Sequence, residues 1–88
     1  MLRLVWMRLV PLYFFDTRDG DHLIRDELGL ELDGIEQARD EATRGMADLV
    51  KDALPGAIRR ELSVQVRDHG DRDVLRASLW FEVAILAS

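Results

Sequence analysis

Eighty-eight residues allow one domain with a modest core, and 48% hydrophobic beside 33% charged residues describes a folded chain, not a disordered one. The absence of cysteine excludes disulfides, thiolate nucleophiles and cysteine-based zinc or iron–sulfur sites. A net charge of −5 argues against whole-surface attraction to nucleic acid or anionic lipid. The charge is uneven: residues 16–41 hold ten acids against Arg18, Arg25 and Arg39, whereas residues 59–76 hold five arginines against four acids. Such asymmetry suits a protein partner or a second copy of the chain.

The opening MLRLVWMRLVPL is apolar but carries Arg3 and Arg8. It is too short and interrupted for a membrane span, and it lacks the small-residue cleavage site of a signal peptide. The expected compartment is the cytoplasm. Residues 1–11 read either as an N-terminal extension or as the early part of strand one. Met7 as an alternative start would make residues 1–6 incidental. Residues 12–88 read as a single domain.

Leu12 to Thr17, rich in aromatic and β-prone residues, predicts the first strand. Asp19-Gly20 predicts a type I′ hairpin turn with positive φ at both residues. A second strand from about His22 to Arg25 continues through DELGLEL, with Gly29 as a bulge or bend. Asp33 and Glu36 have capping-box spacing, with Asp33 at the N-cap of a helix over residues 33–54. Ile35, Ala38, Ala42, Met46, Leu49, Val50 and Ala53 recur at three- and four-residue spacing and share its buried face. The small residues Ala38, Ala42 and Gly45 allow close approach to whatever the helix covers, and Pro55-Gly56 ends it. Leu62, Val64 and Val66 alternate with polar residues in a third strand. A DHGD turn then leads to a long last strand through Leu75, Ala77, Leu79, Phe81, Val83 and Ile85. The expected fold is α+β: a two-layer ββαββ sandwich, with a four-stranded antiparallel sheet covered on one face by a single helix.

Three segments in this order, YFFDTRDGD, DELGLEL and IEQARDEA, resemble a family of small bacterial proteins known only as a domain of unknown function. The resemblance covers about residues 12–85 and implies no activity. It departs from the family pattern at LPGAIRR and at MLRLVWMRLV. DGIEQARDEA is also similar, more weakly, to the helix of HicB-type antitoxins. The Pro-Gly-Cys turn and the C-terminal DNA-binding segment of that group have no counterpart here.

Candidate chemistry is sparse. Aligning Gly20 or Gly70 with the glycine of an EF-hand loop places Phe15 or Gln65 where the first acid belongs. Asp16, Asp19 and Asp21 are then turn residues with at most a loose cation contact. His22 and His69 stand beside turns without a serine or cysteine nucleophile in a recognisable motif. The helix acids interleave with Arg39, Arg44 and Lys51 as on a solvated face. Gly20, Gly29 and Gly34 form no phosphate loop. The expectation is a non-enzymatic protein with no catalytic, cofactor-binding or metal residues.

Trp80 alternates away from Leu79 and Phe81, so it belongs to the sheet's second, more polar face. Tyr13 and Phe15 are expected to join it there, with Phe14 turned the other way. Arg67 and Arg76 complete a candidate interaction surface, blunted as a phosphate site by Asp68, Asp71 and Asp73. The expected function is an interaction or oligomerisation module, a homodimer or the binder of another protein. The alternative is a nucleic-acid-linked regulator of HicB antitoxin type.

Overall fold

A computed structural model of the chain describes residues 10–87. The expected N-terminal extension or early strand, including Trp6 and Met7, therefore lies largely outside the described residues. The chain forms β1 (Leu12–Asp19), β2 (His22–Ile24), β3 (Leu30–Glu31), α1 (Ile35–Ala53), β4 (Arg59–Arg67) and β5 (Asp73–Glu82). The α+β class is as expected, but among the described residues the sheet has five strands. Its order is β2-β1-β4-β5, and β3 pairs with the other end of β1. All pairings are antiparallel. The single second strand of the sequence reading is thus two short strands, one against Thr17–Asp19 and one against Leu12–Tyr13.

Local chemistry explains the first turn. Asp19 pairs with His22, so the two central residues are Gly20 and Asp21, with Gly20 at φ 61°. Among the described residues Asp71 is the only non-glycine with positive φ, so Asp21 does not share the left-handed region. One positive φ, at the first central position, is the II′ pattern, and the expected I′ turn centred on Asp19-Gly20 is corrected.

The helix starts later than expected. Gly34, in an extended conformation, is its N-cap and no side chain caps it. Asp33 instead lies one position upstream and exchanges hydrogen bonds with Gln37. Its N–H donates to Gln37 Oε1 at 3.0 Å, and Gln37 Nε2 donates to its Oδ2 at 3.2 Å. The expected Asp33–Glu36 capping box is thus replaced: Gln37 reaches back to an upstream N–H, but the Asp33 carboxylate meets the Gln37 side chain and caps no helix N–H. The end of the helix is as expected: the Ala57 N–H reaches Leu54 O at 2.9 Å and Gly56 takes φ 81°.

Alternation sorts the sheet into two faces. Register places Phe15, Val66 and Leu75 in one row and Thr17, Val64 and Ala77 in the next, all on the face beneath α1. Leu62, Val64 and Val66 are fully buried there against Ala38, Ala42 and Met46. Each of those strand side chains contributes roughly 1.5–3 kcal/mol of burial. Ile35, expected on the buried helix face, is 45% exposed because it precedes the region over the sheet. Gly45 contributes no close approach, since a Cβ there would meet nothing within 4 Å. Strand β5 ends at Glu82. Val83 and Ile85 lie beyond it and are exposed, which shortens the expected last strand.

The face assignment of the first strand is corrected as well. Tyr13 is buried in the core cluster and Phe15 packs against it, so both lie on the helix side. Phe14 and Asp16 point to the opposite face, which no element among the described residues covers, in rows with Arg67 and Gln65. The physical reason is registry: Phe15 opposes Val66, and the apolar face of β4 is fixed by its own alternation.

Candidate functional site

The uncovered face has two parts, a buried ionic clasp at one end and a polar platform with an exposed tryptophan at the other. The clasp begins with Asp26, which occupies the break between β2 and β3. The Phe15 N–H points outward from β1, and where a neighbouring strand would supply a carbonyl, Asp26 Oδ2 accepts it at 3.0 Å. Asp26 Oδ1 accepts the Leu28 and Gly29 N–H groups at 3.0 and 3.2 Å, an Asx-type turn that folds the chain back into β3. Gly29 has φ 76° there, and a Cβ on it would come within 2.9 Å of Phe14 Cε2. The bend expected at Gly29 is thus required twice over, by backbone conformation and by space.

Arg67 locks this turn to the sheet. Its Nε and a terminal nitrogen reach the two oxygens of Asp16 at 2.7 and 3.1 Å. The same terminal nitrogen donates to the Asp26 carbonyl at 2.8 Å, and the other donates to Asp71 Oδ1 at 3.0 Å. The guanidinium also lies 4.8 Å from the centroid of the Phe14 ring. Asp16 in turn accepts the Asp26 N–H at 2.9 Å. Asp16 and Arg67 are both buried, and every buried side-chain nitrogen and oxygen among the described residues has a partner.

The electrostatics follow from these bonds. The Arg67 hydrogen bonds hold the Asp16 carboxyl below its ordinary value, against the opposing effect of burial. For Asp26, burial pushes upward, but the N–H groups of Phe15, Gly29 and Leu28 prevail and lower it. The Arg67 guanidinium is held still more firmly protonated by Asp16. These ionised, hydrogen-bonded groups fasten β1, the turn between β2 and β3, and β4 to one another.

The platform lies beyond. Rows of paired residues set Arg18, Ser63 and Ser78 side by side, then Glu61 against Trp80, with Gln65 against Arg76 on the other flank. Arg18, Glu61, Ser63, Gln65, Arg76 and Ser78 line a shallow groove of about 460 Å³, and Trp80 lines a separate one of about 400 Å³ with Glu61, Arg59 and Arg60. Trp80 is 61% exposed. Arg76 is also exposed and donates from Nε to Gln65 Oε1 at 2.9 Å.

Of the five residues expected to form one surface, Trp80 and Arg76 share the platform, Arg67 is enclosed in the clasp, and Tyr13 and Phe15 belong to the core. Sequence reasoning read Asp16 as a turn residue, turned Phe14 to the opposite face from Trp80, and passed over Asp26. The available signal was an aspartate at mid-strand, followed by an Asp-x-x-Gly turn in the partner strand. The three acids of the opening motif are also separated: Asp16 is held by Arg67, whereas Asp19 lies 3.5 Å from Arg60. Among the described residues no helix is long and apolar enough to cross a membrane.

A family model described as Domain of unknown function (DUF6894) matches residues 12–80, from the start of β1 to Trp80. No curated protein and no solved structure matches the chain.

Proposed function

The chain belongs to the DUF6894 family, and on that premise we propose that it is a small cytoplasmic, non-enzymatic association module whose working surface is the sheet's uncovered side. A second copy of the chain is its first partner. The observation that supports this reading is the exposed Trp80 on a sheet that, among the described residues, one helix covers on one face only. Large aromatics on a firm, mixed polar surface are the usual anchors of interfaces. Here the firmness comes from the clasp, which fixes β1 to β4. Light scattering across a dilution series tests the reading: the wild type is a dimer, and Trp80→Arg shifts it toward monomer. A wild-type monomer at every concentration would end the homodimer reading.

The second reading, a nucleic-acid-linked regulator of HicB antitoxin type, draws on Arg18 and Arg76. Among the described residues neither has a carboxylate partner, and both line the larger groove. It requires RNA or DNA binding that weakens steeply with salt. Binding that is absent, or indifferent to salt, removes it.

A further inference from the structure

The platform ends at β5, the last strand in the sheet order. It is ten residues long and nothing among the described residues pairs with its outer side. The phase of its backbone is fixed by one bond: the Val83 N–H donates to Ile58 O at 2.8 Å, in line with the Arg59–Glu82 register. Residues 83, 81, 79, 77 and 75 therefore direct their N–H and C=O groups toward β4. Arg76, Ser78, Trp80 and Glu82 direct theirs outward, and the same four carry their side chains on the uncovered face. On the other face Leu75, Leu79 and Phe81 are only partly buried, because α1 does not reach past the edge.

Resting on the reading of the protein as a self-associating module, we propose that two copies pair antiparallel along β5, about a two-fold axis at Leu79. In this register the outward amides of Arg76 meet those of Glu82 of the second copy, and those of Ser78 meet those of Trp80. Each forms a hydrogen-bonded pair. The axis requires both charge pairs at once, so Arg76 faces a carboxylate and Glu82 a guanidinium on both sides of the seam. Glu82 already holds Arg59 at 3.2 Å within the chain, in an exposed pair that leaves its second oxygen available. On the helix side, Leu79 meets its own counterpart and Ala77 meets Phe81, which extends the core across the seam. Both sheets keep their helices on one side; on the other, each Trp80 stands over Ser78 of the second copy, so the two tryptophans flank the seam and Trp80→Arg loosens it.

The chain has no cysteine, so single introduced cysteines report the register directly. Leu79 would face its counterpart in a non-hydrogen-bonded pair, with Cα atoms about 4.5 Å apart, inside disulfide reach. Ser78 would face Trp80, which puts the two Ser78 positions out of reach of each other. Leu79→Cys is expected to give a covalent dimer on mild oxidation and Ser78→Cys is not. Arg76→Glu and Glu82→Arg each weaken the dimer by about tenfold or more, and the double variant restores it. The charge variants lie on the exposed face and keep the test valid even where Leu79→Cys folds poorly. A wild-type dimer with no Leu79→Cys crosslink and no charge-swap rescue overturns the β5 pairing but leaves the association reading intact. A wild-type monomer overturns both.

Discussion

Arg67 grips Asp16 through two nitrogens, at 2.7 and 3.1 Å, across 51 residues of sequence. Both side chains are buried, so the pair owes its worth to completeness more than to attraction. Breaking it strands one charge: Arg67→Met is expected to cost about 3–5 kcal/mol, and Asp16→Leu a similar amount. Replacing both by these apolar residues recovers much of the loss, because no lone charge remains. A double-mutant cycle by urea denaturation measures this. Single variants within about 0.5 kcal/mol of wild type would contradict a buried pair.

The same clasp predicts an acid response. Asp16 and Asp26 both have folded-state pKa values below the ordinary 3.8. The unfolded chain therefore takes up protons first as pH falls. Their contribution is fully present above that value and is lost as pH drops from near 4 through the lower folded-state values. Melting temperature followed from pH 6 to pH 2 should decline most steeply below pH 4. Asp26→Asn should lower the plateau and flatten that decline.

Two glycines should respond oppositely to alanine. At Gly29 the new methyl would sit 2.9 Å from Phe14 Cε2 and 3.1 Å from Leu12 Cδ1, on a backbone with φ 76°. A loss of about 1–3 kcal/mol is expected. At Gly45, inside α1 with open space around it, alanine should stabilise by up to about 1 kcal/mol through helix propensity. Thermal melts of the two variants provide the comparison, and a loss at Gly45 would contradict the described packing.

Ala42 is 1% exposed beneath the helix. Ala42→Glu places a carboxylate against Leu62 and Val64 with no described partner, and the protein should fail to fold at neutral pH. A cooperative melt near that of wild type would mean that α1 can slide or tilt over the sheet.

Much of the architecture is legible in the residues alone. Ala38, Ala42 and Met46 announce a helix face, and the Leu62–Val66 alternation announces the central strand that it covers. Both signals are periodic and local, and packing left them unchanged. The tryptophan on the open face follows from the same logic. What escapes is registry between distant segments. In YFFD any alternation is plausible until Phe15 is set against Val66, and the sequence reading placed Tyr13 and Phe15 one step out of phase. The clasp escapes for a related reason: in a chain one-third charged, Asp16 reads as a turn residue, Arg67 as part of an open surface, and Asp26 draws no notice. Only the break between β2 and β3, itself a product of one side chain standing in for a backbone carbonyl, brings them together.

That substitution also limits how the sheet can grow. A strand added beside β2 and β3 would need an unbroken ladder. The Asp26 turn separates the two strands, which offer only three and two residues. The opposite margin, β5, is long and regular. A subunit with two good margins would polymerise into ribbons, whereas one with a single good margin and a terminated one can join only once. In the pairing proposed above, the aspartate that turns the chain between β2 and β3 would act as a chain terminator for assembly, favouring a finite pair over a fibre.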